Sequence, residues 1–316
     1  QTGGSITAGG LGVTAAGAVT LTQTGNDVNT IGVDTSTGNV QFTDADGFTI
    51  GTVNGIPGID TDSGSVTLLS TTGNVNLDDT TAANDIEATG AISIELRGDE
   101  AQLSISTGAD SDSTGGAHTY TADKMDIAGT ITANGQIVSL IPESSTDTSD
   151  TIDLGSGVDT NANILELSDA EIDRITAATL RIGDASSGAA SITSRIEPAN
   201  TNIVHLTTGS TVSQTSEIVV SSLGVTSGSA VTLTNNANDI DTLAIDTAIG
   251  AIQYTDASGF DVGTVDGVNG VDTDNGAITL IALTSNLTAS QNIDSTDLQN
   301  TQLTASGVGG QVTQSG

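Results

Sequence analysis

The chain repeats itself over a long distance, and that fact limits its possible folds more than any other. Leu11-Gly12-Val13-Thr14 returns as Leu223-Gly224-Val225-Thr226, and Ala18-Val19-Thr20-Leu21-Thr22 returns as Ala230-Val231-Thr232-Leu233-Thr234, both shifted by 212 residues. The same ungapped shift carries Thr43-Asp44-Ala45 onto Thr255-Asp256-Ala257, Gly51-Thr52-Val53 onto Gly263-Thr264-Val265 and Asp60-Thr61-Asp62 onto Asp272-Thr273-Asp274. Register holds to Leu68 and Leu280, then fades. The chain thus samples more than one period of a super-repeat, as an array of stacked units does.

A shorter unit recurs within each period: a glycine, a small residue, Val or Ile, any residue, then a larger apolar one. Gly17-Ala18-Val19-Thr20-Leu21, Gly38-Asn39-Val40-Gln41-Phe42, Gly64-Ser65-Val66-Thr67-Leu68 and Gly276-Ala277-Ile278-Thr279-Leu280 are instances. Alternation puts Val19 and Leu21 on one face and Thr20 and Thr22 on the other, as a half-buried strand requires. The glycine is expected to supply a φ > 0 corner. Uneven spacing suits coils of roughly 20 residues with two or three strands each. Hairpin signals are weak, so the expected fold is all-β, a parallel β-helix, in preference to an antiparallel sandwich. Three segments follow: 1–94 as coils of the first copy, 95–222 as less regular coils with a helical insertion, and 223–316 as coils of the second copy.

Composition agrees with a narrow core. Apolar residues make up 35% but aromatics only 2%, with no Trp or Cys and one Met. Small aliphatic side chains fill a thin column more easily than a wide globule. The net charge is −34, from 39 acidic residues against five basic ones, Arg97, Lys124, Arg174, Arg181 and Arg195. Residues 1–96 and 196–316 contain no Lys or Arg, so counter-ions must neutralise most of their carboxylates. This charge repels nucleic acid and anionic membranes, and no apolar run is long enough to span a bilayer. The start at Gln1, without Met or a signal-like segment, reads as a processed piece of something longer.

Ile164 to Ile175 breaks the strand pattern. Ser168 followed by Glu171 forms a capping box, and Ile172 with Ile175 an i, i+3 apolar pair, which predicts a helical turn near 168–175. Asp169, Glu171, Asp173 and Arg174 read there as a solvated face with local charge pairs.

Two stretches carry a family resemblance. Leu165-Glu166-Leu167-Ser168-Asp169-Ala170-Glu171-Ile172-Asp173-Arg174-Ile175 through Gly183, and Phe42-Thr43-Asp44-Ala45-Asp46-Gly47-Phe48-Thr49-Ile50-Gly51-Thr52-Val53-Asn54-Gly55, resemble the repeat region of large filamentous-haemagglutinin-like exoproteins of the two-partner secretion family. The resemblance implies a right-handed parallel β-helix, export of the parent protein through an outer-membrane secretion partner, an extracellular or bacterial cell-surface location, and a role in attachment. Nothing in the sequence resembles that family's N-terminal secretion domain.

Candidate sites are few. Asp44 with Asp46, Asp60 with Asp62 and Asp272 with Asp274 place two carboxylates one residue apart in turn-like segments, a pattern that suits calcium. The competing reading is that Asp is favoured in turns because its side chain accepts from nearby backbone amides. No cofactor is required, and calcium is the one to consider. His118 and His205 have no recognisable partner motif, and Phe42, Phe48, Tyr254 and Phe260 fall at repeat-equivalent positions that predict core stacking. Enzymatic activity is therefore not expected. The expected function is a structural or adhesive segment of a secreted surface protein or extracellular fibre, self-associating end to end or continuing into further repeats. The alternatives are a calcium-dependent extracellular binding module and a carbohydrate-active β-helix enzyme.

Overall fold

The computed structural model describes residues 1–78, 85–144, 150–161, 163–296 and 299–314. The protein is an all-β parallel solenoid forming two compact units. The first comprises Gln1–Thr148, Gly157–Leu165 and Ala170–Ala178; the second comprises Ser149–Ser156, Glu166–Asp169 and Thr179–Gly316.

In the first unit each full turn of chain contributes a strand to three faces. One face stacks Val19–Leu21, Val40–Asp44, Val66–Ser70, Ile92–Leu96, His118–Thr121 and Ile137–Ile141, all parallel. A second stacks Phe48–Ile50, Val75–Leu77, Gln102–Ile105 and Lys124–Ile127. A third stacks Leu11–Ala15, the end of Thr30–Thr35, Ile59–Thr61, Ile86–Ala88, Asp110–Ser113 and Thr130–Thr132. The second unit follows the same plan: Ala190–Ile192, Val212–Gln214, Val231–Leu233, Ile252–Asp256, Ile278–Ala282 and Thr301–Ala305 make one continuous parallel face.

Alternation explains why these segments sit as they do. Val40, Phe42, Val66, Leu68, Ile92 and Ile94 point inward and are closed to solvent, whereas Gln41 and Thr67 point out. Each inward residue lies over one of similar shape in the next coil, so narrow layers of Val, Ile and Leu fill the column. The aromatics stack inside as expected: Phe42 and Phe48 meet edge to face at 5.0 Å, and their repeats Tyr254 and Phe260 do so at 5.1 Å.

Two expectations change. Coils of the first unit keep to about 20 residues at both ends, where Leu11 lies over Ile31 and His118 over Val138, but lengthen between them: Asn39 accepts from the Ser65 amide and Ser65 from the Ala91 amide, each across 26 residues. The strand-initiating glycines also do not share a left-handed backbone. Gly38 has φ +96 and Gly250 φ +97, but at Gly64 a Cβ would lie 2.1 Å from the Gly38 carbonyl oxygen. That corner is glycine because the coils approach too closely there for any side chain.

The predicted helix exists as one turn, Asp169–Ile172. Its face is not the solvated one expected. Glu171 is buried with Oε1 accepting the Ile127 amide at 3.2 Å, and Arg174 Nη1 donates to the Ile127 and Ala170 carbonyls at 3.1 and 2.9 Å. The freed polar groups of a broken strand pattern are satisfied by these side chains.

One cluster of polar side chains inside the column is hydrogen-bonded together. His118 is fully buried, with Nδ1 3.0 Å from the Tyr120 hydroxyl and Nε2 2.8 Å from Ser113 Oγ, while the Tyr120 hydroxyl donates to Ser111 Oγ at 2.7 Å. Burial disfavours the charged imidazole and lowers its pKa from 6.5 to about 4. The unfolded chain therefore binds this proton first as pH falls, and the stability tied to neutral His118 is lost between about pH 6.5 and pH 4. Asp44, Asp60 and Asp112 have raised values, caused first by burial, and act with the opposite sign. Urea titrations of the protein and of His118→Gln separate the two: from pH 7 to pH 5 the parent should lose about 2 kcal/mol more than the variant. Equal losses would remove the assignment.

Candidate functional site: a hairpin clamp and two carboxylate ladders

Where the coil turns between two faces, each unit inserts the same short excursion. In the second unit Thr264–Val265 pairs antiparallel with Val268–Asn269. In the first, Val53 and Ile56 form the equivalent antiparallel bridge. Both tips turn through two positive φ values, Asn54 and Gly55 at +51 and +83, Asp266 and Gly267 at +48 and +90. Asn-Gly and Asp-Gly are the sequences such a turn demands. The hairpins lie over small residues: a Cβ on Gly12 would sit 3.1 Å from the Val53 carbonyl oxygen, and one on Gly32 would sit 2.7 Å from that of Ile56. In the second unit the seat is Gly224 and Ala244.

The second hairpin is also clamped. Asp266 accepts two hydrogen bonds from Arg181, Nε at 2.6 Å and Nη2 at 2.8 Å, and its Oδ2 lies 2.7 Å from His205 Nδ1. His205 Nε2 is 3.0 Å from Thr226 Oγ1. The Arg181 guanidinium beside Asp266 is the main reason that its carboxyl titrates below the ordinary range. Arg181, His205, Gly224 and Ala244 are successive partners in paired strands, so the tip spans several coils to reach them. Sequence reading found no partner for His205 because the partner arrives from far along the chain. The signal was present in the exchange of Asn54 for Asp266 between copies that otherwise match.

Hydroxyl, imidazole and carboxylate here stand in the order of a nucleophilic relay. Thr226, His205 and Asp266 line none of three cavities walled by residues between Glu197 and Asp241, between Asn29 and Asn76, and between Ala289 and Gln314. The arrangement serves as a clamp.

The expected calcium residues are distributed differently from their sequence pairs. Asp44 is buried, with Oδ2 accepting from the Val28 amide at 2.9 Å and Oδ1 from the amides of Asp46 and Gly47 at 3.2 and 3.1 Å. Asp256 repeats this with Ile240 and Ser258 at 3.0 and 2.9 Å. Position 46 thus contributes its backbone N–H, which explains why Ser258 can replace Asp46. Asp60 stacks in register between Asp34 and Glu87, and Glu87 in turn pairs with Asp112. Asp272 stacks between Asp246 and Asp294. Burial first, then these like-charged neighbours, raise the carboxyls of Asp60 and Asp272. Asp62 and Asp274 flank the ladders and are exposed. Oδ1 of Asp272 is buried without a hydrogen-bond partner among the described residues.

One further acidic group was not foreseen. Asp126, Asp159 and Glu171 of the first unit bring one oxygen each within 4.8 Å of one another, an oxygen set of the type that hard cations take. Glu171 and Asp159 also accept from the Ile127 amide and from Gln102 Nε2.

Asp266→Ala strips two buried or half-buried donors of their acceptor and should cost about 1–3 kcal/mol in urea unfolding, with faster amide exchange at 264–269. Asn54→Ala carries the same positive-φ cost of about 1 kcal/mol but breaks no clamp, so it should cost about 1–2 kcal/mol less than Asp266→Ala. Equal effects at both tips would show that the clamp contributes nothing. No protein-family model matches the chain, and no curated protein or solved structure matches it either.

Proposed function

We propose that this protein is a non-catalytic structural or adhesive segment of a secreted surface protein or extracellular fibre, of the kind its resemblance to filamentous-haemagglutinin-like exoproteins implies. The observation that supports this most is the duplication of the whole device: core layers, buried Asn and Asp brackets and straps recur after 212 residues. Repetition multiplies surface and length, which serve attachment and assembly, whereas a catalytic cleft needs one unrepeated constellation. The acidic surface suits a medium in which counter-ions are plentiful. End-to-end association, or continuation into more coils, follows from strand edges that need partners. An outer-membrane secretion partner for the parent protein belongs to the same reading. Bacteria displaying the 316-residue chain should clump, or hold to a surface under flow, better than bacteria displaying an unrelated domain of equal length. No difference would remove the adhesive role.

Calcium-dependent binding is the second reading, favoured by the in-register ladders and the unpartnered Oδ1 of Asp272. Millimolar calcium should then raise the melting temperature more than sodium at equal ionic strength, and Asp272→Asn should shrink that excess. Equal shifts from the two salts would reduce the effect to screening.

A further inference from the structure

We propose that Asn54–Gly55, the tip of the first hairpin, is a self-modification site: in water it loses ammonia and becomes aspartate or isoaspartate, while the fold holds the chain's other Asn-Gly steps, at Asn134, Asn269 and Asn275, against the same reaction. The site goes beyond the structural reading above and does not depend on it.

The chemistry needs only these two residues and water. The Gly55 backbone nitrogen gives up its proton to solvent and attacks Cγ of Asn54. A new N–C bond closes a five-membered succinimide, the Cγ–Nδ2 bond breaks, and Nδ2 takes up a proton and leaves as ammonia. Water then opens the ring at either carbonyl. One opening leaves a side-chain carboxylate on a normal backbone, the other an isoaspartate whose backbone runs through Cγ. Nothing is oxidised or reduced. Glycine favours the attack because it puts no Cβ beside the attacking nitrogen.

The fold sets the rate through the turn. With φ at +51 and +83 the tip is the left-handed pair of a two-residue hairpin, in which the glycine nitrogen points away from the preceding side chain. Rotation about the Asn54 Cα–C bond must bring it round, so the step proceeds only when the hairpin opens. This hairpin is lightly tied. Asn54 and Gly55 are exposed, and the turn is closed by hydrogen bonds of 2.9 and 3.0 Å between Val53 and Ile56. Its seat is Gly12 and Gly32, which have no side chains to grip the tip. Opening it leaves the flanking strands Phe48–Ile50 and Ile59–Thr61 in their stacks.

The other steps are held in three different ways. At Asn269–Gly270 both reacting groups are engaged: Asn269 Oδ1 accepts from Thr264 Oγ1 at 2.9 Å, and the Gly270 amide donates to the Gly263 carbonyl at 2.8 Å. The grip of Arg181 and His205 on Asp266 keeps that hairpin closed as well. Asn275–Gly276 sits on a packed corner, where the Asn275 carbonyl accepts the Gly250 amide at 2.9 Å and a Cβ on Gly276 would lie 1.9 Å from the Gly250 carbonyl oxygen. Asn134–Gly135 is exposed and left-handed, at φ +28 and +81, but it joins Thr130–Thr132 to Ile137–Ile141, both paired within the column. Gln136 beside it donates to the Ala133 carbonyl and accepts the Ala178 amide at 2.6 and 2.8 Å, so this turn opens only by pulling on the coil.

The folded protein, incubated in mildly alkaline heavy-oxygen water and followed by peptide mass spectrometry, tests the order directly. Labelled acid, part of it isoaspartate, should build up at position 54 at least about tenfold faster than at 134, 269 or 275, a gap that ~1.4 kcal/mol of difference in opening produces. In urea the four steps should react at comparable rates, because each asparagine precedes a glycine and no fold restrains it. Asn54 staying intact in the folded protein while the unfolded chain reacts, or any other step keeping pace with it, would overturn the proposal. Labelled product without isoaspartate would overturn the ring route. Neither result bears on adhesion, which is decided separately under flow.

Discussion

In-register parallel hydrogen bonding between successive coils is the constraint from which the rest of the structure follows. When residue pairs such as Val40 with Val66 and Val66 with Ile92 lie directly over one another, every position of a coil becomes a column of like positions. An apolar position becomes a continuous dry layer, but an acidic position becomes a stack of like charges about 4.8 Å apart. Stacking rewards uniformity inside and penalises it outside. Asp34, Asp60, Glu87 and Asp112 show the penalty, since burial and mutual repulsion together push the Asp60 carboxyl up.

The buried polar residues show how corners are closed within that constraint. Asn26 and Asn238 each donate to the carbonyls of two different segments, Leu21 and Thr43 in one case and Leu233 and Thr255 in the other. Asp44 and Asp256 accept from backbone amides on both sides of a turn. Each is a single side chain standing in for the backbone partners that a bend removes. Their burial makes them costly to mutate and leaves little of them available to a ligand.

Much of this was legible in the residues. Alternation at Val19 and Leu21 and the repeat-equivalent aromatics pointed to the architecture that the structure shows. The reasons for what was not legible are equally specific. Gly64 looks like a turn glycine from its neighbours, and only the Gly38 carbonyl pressing on it from another coil reveals the close approach. Glu171 reads as a helix-surface acid until the Ile127 amide is brought to it. Asp60 appeared paired with Asp62, its neighbour in sequence, whereas the stack pairs it with Asp34 and Glu87. Contacts that depend on coil length are hidden from local pattern, because a shift of one residue in a loop changes which side chains meet.

The glycine corners bear on how such a chain could lengthen. Gly38, Gly64 and Gly90 sit against one another with no room for a Cβ between Gly64 and the Gly38 carbonyl, or between Gly90 and Ser65 Oγ. A duplication or deletion that moved this corner by part of a turn would thrust a side chain into the neighbouring backbone. Gene segments encoding whole turns can be gained or lost without that collision. The arrangement therefore acts as a ratchet on inheritance, letting length drift in integral steps while holding the cross-section constant.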